Sequence, residues 1–148
     1  MIPRTETTMI VVHCSATPAY MDVGAPEIKR WHLARGWSDI GYHWVVRRNG
    51  TMERGRKQNL QGAHCKQVNS TSIGICLVGG TYEDNEPHDN FTMEQYASLK
   101  TLVYGLWLEY PSISAVCGHR DIPGVSKDCP SFEVADFLNA IDFDGARP

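Results

Sequence analysis

Thr8-Met9-Ile10-Val11-Val12-His13 decides the reading of this chain: three apolar, β-branched residues in succession form a short buried strand that ends on a histidine. The residues before it, 1–7, are polar and are expected to be loosely held, as is the tail 143–148. After it, Pro26 suits a first helical turn, and Ile28, Trp31 and Ala34 or Arg35 follow at helical spacing as far as Gly36, which predicts a first helix. Asn49-Gly50 accommodates positive φ, so Tyr42 to Arg47 and Thr51 to Arg54 pair as a hairpin. Ile73 to Val78 is a further apolar strand ended by Gly79-Gly80, and the acidic stretch 81–90 reads as a surface loop. Thr92 and Gln95 make a capping box for a long helix whose apolar face carries Met93, Tyr96, Leu99, Val103, Leu106 and Tyr110, stopped by Pro111. Ile113 to Gly118 is the last strand, and Ser131 is expected to cap a final helix with Val134, Phe137, Leu138 and Ile141 on its apolar side. The order β-α-β-β-β-α-β-α predicts an α/β fold: a single domain with a mixed β-sheet flanked by helices, its parallel strands joined by helical crossovers.

The 148 residues, 42% of them hydrophobic, suffice for one compact domain with its own core. A formal charge of -3 without any Lys/Arg block argues against a nucleic-acid partner. The apolar run Met9 to Val12 is far short of the ~20 residues of a membrane span, and no secretory segment follows a basic start, so neither a membrane nor a signal peptide is expected. The five cysteines are an odd number with no C-x-x-C pair, which points away from a disulfide framework or a zinc knuckle.

His13 and His119 each follow a predicted strand, where α/β proteins tend to place their sites. Either alone reads as a structural or surface histidine. Cys129 changes the balance: it stands ten residues after His119 and just ahead of the expected Ser131 cap, where a helix N-terminus and Lys127 would favour a thiolate. Two neutral imidazoles and one thiolate are ligand types that zinc takes, and three protein ligands leave a fourth position open for catalysis. Such an ion suits amide hydrolysis, which also needs a group to manage the proton and one to steady the oxyanion. Tyr42 and Lys127 are available, although on the residues alone they read as a half-buried strand aromatic and a solvated loop charge.

An ordered set of motifs then goes beyond these spacings: Val12-His13-Cys14-Ser15-Ala16-Thr17, Arg30-Trp31-His32, Gly36-Trp37, Ile40-Gly41-Tyr42-His43-Trp44, Asn49-Gly50-Thr51, 72–80, Gly118-His119-Arg120-Asp121 and Cys129-Pro130-Ser131-Phe132. Over residues 8–142 the chain resembles the zinc N-acetylmuramoyl-L-alanine amidases related to peptidoglycan recognition proteins, of the bacteriophage T7 lysozyme type. The resemblance implies the peptidoglycan recognition protein or type 2 amidase fold over 8–142, one Zn2+ per chain held by His13, His119 and Cys129, and catalytic roles for Tyr42 and Lys127. It also implies bacterial peptidoglycan as substrate, with His64 as a substrate contact in the cleft. It further implies an endolysin made in the host cytoplasm that reaches the wall after holin-type release, and a monomer. The stretch Arg120 to Ser126 is longer than in the phage lysozyme and bears on specificity.

His32 is expected to pack or face solvent, His43 to be a buried, hydrogen-bonded imidazole on the face opposite Tyr42, and His88 to be solvated. Three other functions compete. A noncatalytic peptidoglycan-binding module shares the fold, but relatives that only bind typically lack the Cys129 ligand. A cysteine hydrolase would use Cys14 or Cys129 with a histidine and would be indifferent to chelation. A regulator of a phage RNA polymerase is implied by the T7 type, although the divergent residues 1–7 and the 81–91 loop argue against extending that partner to this chain.

Overall fold

The structure, a computed structural model, describes residues 1–147. Strand β1 (Met9–Cys14) is followed by helix α1 (Ala25–Ala34), the hairpin β2 (Trp44–Val46) and β3 (Met52–Arg54), and strand β4 (Ser72–Leu77). Helix α2 (Met93–Glu109), strand β5 (Ala115–Gly118), a 3-10 turn at His119–Asp121 and helix α3 (Val134–Ala140) complete the chain. The five strands form one sheet in the order β3-β2-β4-β1-β5, parallel except where β3 runs against β2. This is the expected mixed α/β arrangement, and no helix among the described residues is long and apolar enough to cross a membrane.

Alternation along the strands divides the core. Ile10 and Val12 of β1 stand beside Ile73 and Ile75 of β4 and pack under α2 and α3 against Leu99, Val103, Leu106, Val134 and Phe137. Val11 and His13 therefore face the other way. On that side α1 covers Val45, Cys76 and Val78 through Ala25 and Ile28, while Cys65 and Ile122 close over Val11. A one-residue slip of β1 would send His13 into the α2 core, so the apolar pattern of Ile10 and Val12 is what aims the histidine.

The Thr92 capping box forms as expected: Thr92 Oγ1 accepts from the Gln95 N–H (3.1 Å) and Gln95 Oε1 from the Thr92 N–H (3.0 Å). Gln95 is also fully buried, and its amide donates to the carbonyls of Val46 (3.2 Å) and Val78 (2.9 Å). It joins helix to sheet as well as capping. Gln95→Ala removes these bonds and leaves a void, so the urea-unfolding free energy is expected to fall by about 2–4 kcal/mol. A loss below about 0.5 kcal/mol, typical of surface substitutions, would mean that the buried amide contributes nothing.

Five local expectations are corrected. Met93 is 85% exposed and lies off the buried face of the helix that carries Gln95, Leu99, Leu102, Val103 and Leu106. Tyr42 precedes β2 rather than starting it. Ser131 caps nothing: it adopts φ 69°, its N–H donates to Asp128 O, and α3 begins only at Val134 with Glu133 as its boundary residue. The first residues are also not loose, since Arg4 is buried, its N–H donates to Asn59 O (2.7 Å), and its guanidinium bonds Thr7 Oγ1 and Leu60 O. The tail is similarly held through Arg147, which donates to Ile113 O and lies over the Trp107 ring.

Candidate metal centre and active site

His13 is the penultimate residue of the inner strand β1, His119 opens the 3-10 turn after its neighbour β5, and Cys129 lies on the following loop. A backbone bond from Arg120 N–H to Cys129 O (2.8 Å) ties that loop to the turn. One ligand atom from each of His13, His119 and Cys129 lies within 4.8 Å of the others. Zinc bonds of about 2.0–2.1 Å to nitrogen and about 2.3 Å to sulfur imply a nitrogen–sulfur separation of roughly 3.6 Å across a tetrahedron. His13 Nδ1 and Cys129 Sγ are 3.9 Å apart, so the donor set fits the ion in both chemistry and spacing.

The electrostatics agree. Burial, followed by the neighbouring His64, His119 and Lys127, holds His13 well below its usual 6.5, and burial and Lys127 lower His119. Both imidazoles are therefore neutral at pH 7, the form in which the ring can bind a metal. The Cys129 sulfur accepts from the Cys14 backbone N–H (3.2 Å), not from a helix N-terminus. Its contact with the Cys14 thiol, together with burial, pushes its pKa up, so a thiolate there requires a cation at the three-ligand point.

Tyr42 sits half-buried with its ring 5.1 Å from that of His13. Burial and the nearby thiols of Cys76, Cys129 and Cys14 raise its phenol well above 10, which keeps it a neutral hydrogen-bond donor. His32, buried on α1, lies with its ring tilted against Tyr42 at 5.5 Å and accepts from the Gly41 N–H through Nδ1 (2.9 Å), steadying the residue just before it. Lys127 is exposed on the rim of a cavity of about 650 Å³ whose wall also carries Trp37, His64, Gln67 and His119. His119 and Lys127 thus share one cavity wall, and the rings of His119 (4.6 Å) and Tyr42 (5.1 Å) both pack against that of His13. His43 is buried and hydrogen-bonded between Leu60 O and Gly74 N, as expected, but its ring lies 5.8 Å from that of His64, on the side of the site and not on the face opposite Tyr42.

His64 departs from expectation. It is only 8% exposed, and both ring nitrogens are engaged, Nδ1 with His13 Nε2 (2.8 Å) and Nε2 with Ser72 Oγ (3.2 Å). It edges the cavity but has no free polar atom for a substrate. Sequence reasoning also missed Ser72, Asn69 and the Cys14 amide, which carry no local signal of a site.

Buried histidines make the metal-free protein sensitive to acid. Burial depresses His43 to about 4 and His64 to about 3, whereas both titrate near 6.5 when unfolded. Below pH 6.5 the unfolded chain therefore binds more protons, and stability falls from there down to the folded values. Urea midpoints of metal-free protein are expected to drop between pH 7 and pH 4.5, with a cost on the order of 2 kcal/mol for each such histidine. Equal midpoints at the two pH values would show that these rings are not held neutral.

The sequence pattern of the family described as N-acetylmuramoyl-L-alanine amidase matches residues 3–132. The endolysin of Klebsiella phage KP32 is 47% identical over 131 residues, covering 88% of this chain and 85% of that protein. The endolysin of Escherichia phage T7 is 42% identical over 131 residues, with the same coverage of 88% and 85%. Among solved structures, the N-acetylmuramoyl-L-alanine amidase LysC from Clostridium intestinale URNW superposes with a TM-score of 0.79 at 29% identity, covering 93% of this chain and 86% of that one.

Proposed function

The chain belongs to the N-acetylmuramoyl-L-alanine amidase family and is a peptidoglycan amidase of the endolysin kind; from that premise we propose that it works as a zinc enzyme, with His13, His119 and Cys129 as ligands and Tyr42 and Lys127 as the catalytic pair. The observation that carries this is the closeness of three ligand atoms from distant parts of the chain, within 4.8 Å of one another. When bound, zinc supplies a Lewis acid for the lactyl carbonyl and lowers the pKa of water toward ~7. The protein's residues do the rest. Tyr42, held as a neutral phenol beside His13, donates a hydrogen bond to the carbonyl oxygen as negative charge gathers there. Lys127 brings a positive charge to the same point from the rim, where it can also meet the departing L-alanine nitrogen. The cavity between Trp37 and the 124–127 segment receives the substrate next to these groups.

All five residues come from one chain, which supports action as a monomer, with an amidase domain over 8–142. Likeness to phage endolysins supports synthesis in the host cytoplasm and contact with the wall after holin-type release. Mass spectrometry of purified peptidoglycan after digestion, with and without a chelator, tests the reading. Free stem peptides beginning at L-alanine beside intact glycan strands, lost with chelator and restored by zinc, are expected. Products that persist in chelator but vanish with a thiol alkylator would favour a cysteine nucleophile instead.

A further inference from the structure

We propose that His64 is a positioning residue that fixes the tautomer of His13, so that His13 presents Nδ1 as its ligand atom, and that Ser72 and the Val68 carbonyl set the direction of this arrangement. The inference rests on the zinc reading above and deepens it by assigning the support behind one ligand.

The direction is decided at the end farthest from the metal. Ser72 Oγ lies 2.7 Å from Val68 O. A carbonyl can only accept, so the single hydroxyl proton of Ser72 is used there. Were that proton turned toward His64, two oxygens would face each other at 2.7 Å with no hydrogen between them. Ser72 Oγ must then accept from His64 Nε2–H at 3.2 Å. A neutral imidazole with its proton on Nε2 has a bare Nδ1, which accepts from His13 Nε2–H at 2.8 Å. With its proton placed on Nε2, His13 turns the Nδ1 lone pair toward Cys129, 3.9 Å away, and His119. The opposite tautomer would put a hydrogen where the ion binds.

The surroundings hold the His64 ring to this task. A Cβ at Gly74 would stand 2.6 Å from His64 Cγ, and one at Gly62 would stand 2.6 Å from His64 Cδ2. The ring is thus slotted where only glycines leave room. Asn69 Oδ1 accepts from the backbone N–H groups of both His64 (3.0 Å) and Cys65 (2.9 Å), which pins the segment carrying the ring. Partners of this kind commonly change metal affinity by about 10- to 100-fold when removed.

Nitrogen-15 imidazole NMR of metal-free wild-type protein reads the tautomers directly, without requiring any variant to fold. Both His13 and His64 are expected as Nε2–H; His13 as Nδ1–H overturns the proposal. Zinc competition against a chromophoric chelator gives the second measure. His64→Leu removes the acceptor and is expected to weaken zinc binding by about 10- to 100-fold, whereas His64→Asn, whose Oδ1 stands where Nδ1 stood, restores most of it. Wild-type affinity in His64→Leu would also overturn the proposal. Failure of the wild-type protein to take up zinc would instead sink the proposed function, and the metal-free spectrum keeps these two failures apart.

Discussion

Cys129→Ser is expected to leave the protein folded but without zinc, and to lower peptidoglycan hydrolysis by roughly 1,000-fold or more. The hydroxyl occupies most of the volume of the thiol and can still accept the Cys14 N–H, so the loop keeps its anchor. What disappears is the only anionic member of the proposed ligand set. A serine hydroxyl does not ionise in this range, and two neutral imidazoles alone hold zinc weakly. Losing several kcal/mol of charge stabilisation in the transition state corresponds to that fall in rate. Metal analysis, circular dichroism and a turbidity assay on the same sample check the three parts of the expectation. A folded variant that retains zinc and activity would remove Cys129 from the centre.

Lys127→Ala is expected to separate catalysis from metal binding. Its side chain is exposed on the cavity rim and contributes no ligand atom, so zinc should remain near one equivalent. Removal of one positively charged stabiliser of an oxyanion lowers kcat by about 100- to 1,000-fold. The thermal midpoint should move little, because an exposed lysine buries almost nothing. Loss of zinc along with activity would show that the residue supports the ligands instead of the reaction.

What the sequence could disclose was governed by the range of each interaction. β1 and β4 announce themselves through consecutive apolar residues, and the Thr92 box through two residues three apart, because the physics there is local. The proposed ligands His13, His119 and Cys129 are legible as residue types, and the resemblance ties them together, but the helix N-terminus expected beside Cys129 is not there. A serine two residues on resembled a cap, but a turn through Asp128 and a left-handed Ser131 come before the helix, and the sulfur is served by the Cys14 amide. The engagement of both His64 nitrogens is not legible in the sequence, because its partners Ser72 and His13 meet it only after β4 pairs with β1. Arg4 escaped for the same reason, its partners Asn59 and Leu60 lying more than fifty residues further along.

The hydrogen bond between the Arg120 amide and the Cys129 carbonyl works like a drawstring at the neck of a pouch. Within that pouch, Lys127 and the buried Ile122 are fixed points, but residues 123–126 between them can lengthen, shorten or change composition while the neck stays shut, so a longer segment here need not disturb the proposed metal ligands on either side. Gly124, Val125 and Ser126 line the cavity from within that pouch. Exchanging this segment between relatives is therefore a direct route to altered taste for cell-wall peptides with the chemistry left in place.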